Sequence, residues 1–514
     1  MLVHQYLERS ANRFPEKTAL ICGSQRLTYS EINDKANRIA NSLISSGFRR
    51  GDRAILHLPN TAETVITIFG VLKAGGVFSV LHPSTPLEKV AYILQETEAK
   101  ALFAGSKPSD LPTFPLDKYR PPILIQVPSQ TTPNFELEGW HRFHDLLGFA
   151  PHPRHIPCID LDLATIIYTS GSTGEPKGVM SDHSNVDFAT DSIISYLENT
   201  PEDIVINFLP LSFDYGLYQL LMVFKFGGTL VLEKNFAFPA VILEKIQRER
   251  VTGFPGVPTI YATLLQMDLS PYDLSSIRYM TNTAAALSVK HIQQIQQRFP
   301  WVRFYSMYEL TETKRTLYLP PEQLSIRPQS VGIPIPGTEV WIEDDSGHRL
   351  PPGEVGELVV RGRHVMRGYW AEAQATAERF RPGPLPNERV CYTGDLFTCD
   401  EEGYFYFIAR KDDVIKSGGE KVAPLEIERV ISQIPEVCEV AAIGVPDPIL
   451  GEAIEVYIVS QSPHLTRNDV IQYCIAHLES FKVPREVHLV TNLPKTDSGK
   501  INKKVLKEST PSTI

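Results

Sequence analysis

The chain has 514 residues, 42% of them hydrophobic, and a formal net charge of -10, which argues against a nucleic-acid-binding surface and favours small-molecule or protein partners. Its length exceeds what one core usually fills, so two or more domains are predicted. The six cysteines, Cys22, Cys158, Cys391, Cys399, Cys438 and Cys474, are scattered without a C-x-x-C pair and read as reduced thiols of a cytoplasmic protein. No membrane span is expected: Met1 to Ser10 lacks the apolar centre of a signal peptide, and the apolar run Val65 to Leu81 contains Lys73, Gly75 and Gly76.

In chain order, a hairpin-like run from Ala19 to Leu27 leads into a capping box, Thr28 with Glu31, that starts a helix reaching about Ser46. A strand from Ala54 to Leu58, a helix from about Thr61, a strand from Val77 to Leu81 and a helix near Leu87 follow. The stretch Lys107 to Glu138 is rich in Pro, Ser and Thr around one short apolar strand and reads as a surface excursion. His152, His155 and Cys158 recur at spacing three, but Pro151, Pro153 and Pro157 interleave. A helix face carrying metal ligands is thereby excluded, and a proline-rich connector is expected.

Ala164 to Tyr168 read as a buried strand, and further strands are predicted at Ile204 to Leu209, Thr229 to Glu233, Ile277 to Thr281 and Val302 to Ser306, separated by helical patterns. This alternation predicts parallel sheets covered by helices. After Val331 short strands with many glycines and prolines suggest a smaller β-rich subdomain. Beyond Arg410 a small α+β unit is predicted, with helices Pro424 to Gln433 and Arg467 to Leu478 around strands Val440 to Val445 and Ala453 to Ser460. The polar tail after Leu506 reads as loose.

Several motifs carry chemistry. Tyr168-Thr-Ser-Gly-Ser-Thr-Gly-Glu-Pro-Lys-Gly-Val-Met180 joins an apolar strand to a loop of hydroxyls and glycines. Such a loop can turn N–H groups and hydroxyls toward phosphate oxygens, with Lys177 as a mobile cation. It is not a Walker A loop, since Lys177 is neither preceded by glycine nor followed by Ser or Thr. Tyr308-Glu-Leu-Thr-Glu312 would alone be an ordinary helix start. Tyr392-Thr-Gly-Asp-Leu396 would be a turn, although it follows Gly356-Glu-Leu-Val-Val-Arg-Gly-Arg-His-Val-Met-Arg-Gly-Tyr-Trp370. Arg410-Lys-Asp-Asp-Val-Ile-Lys-Ser-Gly-Gly-Glu420 and Leu493-Pro-Lys-Thr-Asp-Ser-Gly-Lys-Ile-Asn502 complete the set.

Together and in this order, these motifs resemble those of the adenylate-forming enzymes, the superfamily of acyl-CoA synthetases, luciferases and peptide-synthetase adenylation domains. The resemblance spans essentially the whole chain. It implies an α/β fold: a large N-terminal domain, 1–411, of helix-covered sheets with the β-rich subdomain, and a small mobile α+β C-terminal domain, 412–514, hinged at Asp412. It implies ATP and Mg2+ as cofactors. Thr169, Ser170, Gly171, Ser172, Thr173, Gly174 and Lys177 would clamp phosphates, with Ala284 and Ala285 forming an adenine wall and Tyr308 stacking on the base. Thr311 would contact the α-phosphate, Glu312 would hold Mg2+, and Asp395 with Arg410 would anchor the ribose. Lys500 would be catalytic, with Thr311 and Glu312. Gly418 and Gly419 would give the loop after the hinge its freedom. Glutamate stands at 309 where the family usually has glycine, a costly exchange if the position requires a positive φ or close backbone approach to the nucleotide. Alanines stand at 284 and 285, where glycines are common.

The substrate-side motif of the family falls at Leu211-Ser-Phe-Asp-Tyr-Gly-Leu217. Asp214 there resembles the aspartate with which amino-acid-activating members meet an α-ammonium group; its other reading is an N-cap of the helix beginning near Gly216. Tyr215, Tyr218, Thr281, Thr283 and Met307 would line the pocket, and two tyrosines leave room for a compact substrate. Phe213 to Gln219, with Lys314 and Arg315, is similar to free-standing L-prolyl carrier-protein ligases. Arg315 would either reach this pocket or brace a loop. No carrier or condensation motif is found, so a separate carrier protein or coenzyme A is the expected acyl acceptor. The competing expectations are an acyl-CoA synthetase for a non-amino acid and a nucleotide-binding scaffold without catalysis.

Overall fold

The computed structural model describes residues 1–105, 116, 119–128, 138–170, 176–283, 285, 287–417, 420–447, 449–496 and 500–509. Two large sheets build the N-terminal domain. The first has nine strands, in the order Ile333–Pro334, Lys314–Leu319, Arg303–Leu310, Tyr279–Asn282, Gly253–Gly256, Ile204–Asn207, Thr229–Leu232, Thr18–Cys22 and Gln25–Thr28. It is parallel from Arg303–Leu310 through Thr18–Cys22, with antiparallel strands on both flanks.

The second sheet has eight strands: Gly368–Tyr369, Pro176–Asp182, Leu163–Ser170, Val77–Leu81, Arg53–His57, Ala101–Ala104, Ile123–Gln126 and His141–Arg142. Ile123–Gln126 is buried and belongs to this sheet, so the predicted excursion carries a core strand; its residues 106–115, 117–118 and 129–137 lie outside the described residues. The connector holding His152, His155 and Cys158 runs without helix or strand.

Two helices join the sheets. Ala62–Lys73 buries every residue except Glu63, and Asp214–Phe226 buries every residue from Asp214 to Phe224. Helices that are apolar on all sides belong inside a core. The first packs on Val77–Leu81, the second on Ile204–Asn207 and Thr229–Leu232, and Phe69 stacks on Phe224 at 5.0 Å. The predicted capping box is present: the Thr28 side chain accepts from the Glu31 N–H while the Glu31 carboxylate accepts from the Thr28 N–H.

The β-rich subdomain is a five-stranded antiparallel sheet of Glu339–Glu343, Gly356–Arg361, Arg389–Cys399 and Phe380–Pro382, with Phe405–Arg410 added on Arg389–Cys399. The small C-terminal domain has its own sheet, Glu420–Val422, Ile415–Ser417, Gly451–Ser460 and Val437–Asp447, extended by Glu486–Val490. Helices Pro424–Ile431 and Arg467–His477 contribute to its separate core. The helix Lys503–Ser509 continues past Leu506, so the predicted loose tail begins helical. Among the described residues no helix is long and apolar enough to cross a membrane.

Candidate active site

Asp395 sits in the strand Arg389–Cys399 directly opposite Arg410 of the adjoining strand, so backbone pairing alone brings the two side chains together. Arg410 Nε lies 3.6 Å from Asp395 Oδ1, and the Tyr308 hydroxyl donates to Asp395 Oδ2 at 2.6 Å. Burial pushes the Asp395 pKa up, against the pull of Arg410, Tyr308, Arg379 and Lys500. Gly394 has φ +69°, and a Cβ there would come within 2.6 Å of Arg379 Nη1. The positive φ favours glycine here, and the Arg379 guanidinium lies close against it. The Tyr308 ring packs edge-on against Phe397.

Tyr308-Glu-Leu-Thr-Glu312 does not start a helix. The strand Arg303–Leu310 ends within it, a turn follows through Thr311 and Glu312, and the antiparallel strand Lys314–Leu319 returns. Glu312 lies at this turn and accepts from the Tyr369 hydroxyl at 2.5 Å, with Arg379 Nε at 3.8 Å. Burial alone would lower the Arg379 pKa, but Glu312 is foremost among the groups that raise it above the usual arginine value.

The predicted phosphate loop joins two antiparallel strands, Leu163–Ser170 and Pro176–Asp182, with Thr169 paired to Lys177. Thr169 Oγ1 donates to the Lys177 carbonyl at 3.4 Å, and the Lys177 ammonium lies 5.6 Å from the Tyr369 ring centre. Tyr369 therefore spans the gap between Lys177 and Glu312. Ser170 ends its strand; Gly171, Ser172, Thr173 and Gly174, like Ala284, Gly418 and Gly419, lie outside the described residues. Ala285 is exposed, and its carbonyl accepts from Asn282 Nδ2 at 3.2 Å.

Lys500 comes from the other domain. Reciprocal bonds with Thr496, from Thr496 N–H to the Lys500 carbonyl at 2.8 Å and from Lys500 N–H to Thr496 Oγ1 at 3.2 Å, tie it into a short hairpin. Burial and the neighbouring Arg410 lower its pKa, while Asp214, Asp395 and Glu312 oppose them.

Asp214 is the first residue of its helix, and the N-cap position belongs to Phe213. Gly216 makes this geometry possible, because a Cβ there would meet the Pro210 carbonyl oxygen at 2.4 Å, while Asn207 Nδ2 donates to the Gly216 carbonyl. Asp214 Oδ1 accepts from the Tyr215 N–H at 3.0 Å, and Oδ2 is buried without a hydrogen-bond partner. The Tyr218 hydroxyl, Thr283 Oγ1 and Lys314 Nζ are likewise buried and unpartnered, and Lys314 lies 5.5 Å from the Tyr218 ring centre. Burial lowers the Lys314 pKa to about 8, against the pull of Asp214 and Glu312. The Tyr215 hydroxyl is engaged by the carbonyl and Oγ1 of Thr281, and the Tyr196 hydroxyl reaches Met307 Sδ at 3.1 Å. The Arg315 guanidinium lies 4.4 Å from the Tyr215 ring centre and pairs with Glu309. Glu309 stands in a strand and is not among the residues with positive φ, so the exchange for glycine carries no positive-φ strain.

Model matches to the AMP-binding enzyme over residues 7–370 and to the AMP-binding enzyme C-terminal domain over residues 426–500 cover both domains. The chain belongs to the AMP-binding enzyme family. This AMP-binding enzyme is 31% identical to a long-chain-fatty-acid–CoA ligase of Bacillus subtilis, covering 98% of this chain and 94% of that one. It is 28% identical to tyrocidine synthase 1 of Brevibacillus parabrevis, over 98% of this chain and 45% of the relative. The ATP-bound crystal structure of MatB from Rhodopseudomonas palustris superposes with a TM-score of 0.89 at 27% identity, over 99% of each chain. The enzyme is an AMP-forming acid–thiol ligase that uses ATP and Mg2+.

The residues present fit that chemistry. A buried carboxylate beside an arginine suits a ribose diol. Among the described residues no group of three or more His, Cys, Asp or Glu gathers. The sequence reading assigned no role to Tyr369 or Arg379, although both flank Glu312. Tyr369 lay inside a motif quoted for its spacing, whereas Arg379 carried no local signal.

Proposed function

We propose that this AMP-binding enzyme activates a small amino acid, with L-proline among the candidates, and passes it to the phosphopantetheine thiol of a separate carrier protein. The observation that carries the reading is the buried, unpartnered Oδ2 of Asp214. A buried acceptor of this kind calls for a donor, and an α-ammonium group supplies one together with the opposite charge. An acid lacking it would leave Asp214 unsatisfied, which is a strong basis for discrimination.

In the first step a carboxylate oxygen of the amino acid attacks the α-phosphorus of ATP, the bond to the bridging β-oxygen breaks, and pyrophosphate leaves. In the second the pantetheine thiol gives up its proton, its sulfur attacks the acyl carbon, and AMP departs with the electron pair. Thr169 to Gly174 and Lys177 would hold the β- and γ-phosphates. Tyr308 and the segment of Ala284 and Ala285 would frame adenine, and Asp395 with Arg410 would bind the ribose. Thr311 would contact the α-phosphate. Bound Mg2+ would supply positive charge at the phosphates through Glu312.

Lys500 would stabilise the charge that develops during adenylation. The charges of Asp214, Asp395 and Glu312 that act on it support a domain arrangement suited to the first step. Rotation of residues 412–514 about Asp412 would then withdraw it and admit the thiol. Six cysteines without a disulfide support a cytoplasmic enzyme.

The relatedness to a fatty-acid–CoA ligase favours a second reading, in which a non-amino acid is activated and coenzyme A is the acceptor. Exchange of labelled pyrophosphate into ATP across amino acids and simple acids separates the two. Exchange with a compact amino acid supports the first reading; exchange with simple acids alone supports the second.

A further inference from the structure

The hairpin that carries Glu312 also carries Glu309 and Arg315, which face each other across its two strands. Their side chains form an ion pair and both are almost wholly removed from solvent, with Arg315 at 2% exposure among the largest fully buried side chains. Burying two charges costs much of what their attraction returns, so such a pair is weak support for stability. Its position suggests another use. The Arg315 guanidinium lies 4.4 Å from the Tyr215 ring centre, and Tyr215 is fixed by its bonds to Thr281. The Tyr261 hydroxyl donates to the same Thr281 carbonyl at 2.8 Å.

On this side the Arg315 guanidinium has the Glu309 carboxylate and the Tyr215 ring against it, although Glu309 Oε1 and Oε2 and Arg315 Nε make no hydrogen bond. On the Asp214 side, Asp214 Oδ2, Tyr218 Oη, Thr283 Oγ1 and Lys314 Nζ are also free of hydrogen bonds. The residues around Tyr215 therefore present single polar groups beside Asp214 and, on the other side, a bulky ion pair packed on the ring.

We propose that the Glu309–Arg315 pair, laid against Tyr215, is the floor of the acid pocket and restricts this enzyme to acids with short side chains. The inference rests on the reading that the acid binds beside Asp214. Within it, Arg315 and Glu309 are specificity-determining residues that act by occupying volume. A longer chain would have to displace a guanidinium from both its carboxylate and its ring.

The test measures pyrophosphate release with two ladders of acids: alanine, 2-aminobutyrate, norvaline and norleucine, and the straight-chain acids from acetate to octanoate. Whichever ladder supports turnover reports the floor, so failure of the amino-acid reading and failure of this proposal are separate results. The wild-type rate should fall about tenfold or more for each methylene beyond the cut-off, the scale at which pockets discriminate by size. Equal rates along the active ladder would overturn the proposal without any variant. The paired change Glu309→Ala with Arg315→Ala should shift the cut-off to longer chains, whereas Glu309→Gln with Arg315→Met, which removes charge but keeps bulk, should leave it in place whatever the absolute rate. A shifted cut-off in the bulk-keeping pair, or an unshifted one in a folded alanine pair, would overturn it.

Discussion

The Tyr369 hydroxyl donates to Glu312 Oε1 at 2.5 Å, and the ring of the same tyrosine lies 5.6 Å from the Lys177 ammonium. One side chain thus braces the carboxylate proposed for Mg2+ and the cation proposed for the terminal phosphates. Replacing it by phenylalanine keeps the ring and removes the bond. Hydrogen bonds to charged groups contribute about 1.5–3 kcal/mol, so Tyr369→Phe should lower the adenylation rate by roughly tenfold or more and raise the Mg2+ concentration needed for half-maximal rate. Pyrophosphate release measured across a Mg2+ titration checks this; an unchanged titration would leave Tyr369 a packing residue.

Lys500→Ala should abolish most adenylation, by about a hundredfold or more as for other single donors to developing charge, while a preformed aminoacyl adenylate is still transferred to the thiol. Burial and Arg410 hold the Lys500 pKa below the usual 10.5. The ammonium is therefore lost earlier on the alkaline side than in free lysine, and the adenylation rate should fall as pH rises through that lowered value. Rate–pH profiles of wild type and Lys500→Arg check the assignment, since the arginine variant should lack the alkaline limb.

Lys314 supplies a stability test. Its folded-state pKa, about 8, lies below the usual 10.5, so between these values the unfolded chain binds more protons and stability rises with pH. Below pH 8 the full burial penalty applies. Lys314→Met should accordingly be more stable than wild type at pH 7, by up to about 3 kcal/mol, and the difference should shrink toward pH 10.5. Denaturant unfolding at a series of pH values reads it. A pH-independent difference would show that Lys314 is not held in this way.

Asp395→Asn should weaken ATP binding, because the carboxylate that would accept two ribose hydroxyls is replaced by an amide. A loss of about tenfold to a hundredfold in affinity, the value of one or two charge-assisted hydrogen bonds, should appear by calorimetry with ATP. A 2′,3′-dideoxy analogue should bind wild type and variant alike.

Much of the architecture was legible because local signals agreed with the final packing. The strand Val77–Leu81 and the Thr28–Glu31 cap lie where the apolar run and the capping box place them. The strand Gly253–Gly256 was not legible: Gly-Phe-Pro-Gly reads as a turn, yet it is buried between Ile204–Asn207 and Tyr279–Asn282, where its neighbours decide its conformation. The motif residues Asp395, Arg410, Glu312 and Lys500 were visible one at a time and meet only in the fold.

Other features depended on reading the right element. The segment Tyr308 to Glu312, which alone would be an ordinary helix start, carried no sign of the pairing of Glu309 with Arg315, six residues apart and opposite each other in a hairpin. The contact from Tyr369 to Glu312 spans 57 residues and has no local trace. Asp214 was legible as a charge in the substrate motif, but its sequence did not tell whether it capped the helix; the helix begins at Asp214 itself, with Phe213 at the cap.

The central claim is that Asp214 selects an amino acid. Its most direct test is amino-acid-dependent exchange of labelled pyrophosphate into ATP by wild type and Asp214→Ala. Wild type should exchange with one or a few compact amino acids, and the variant should lose that exchange by about a hundredfold or more while its affinity for ATP is unchanged. Exchange by wild type with simple carboxylic acids only, or an Asp214→Ala variant with undiminished amino-acid preference, would contradict it.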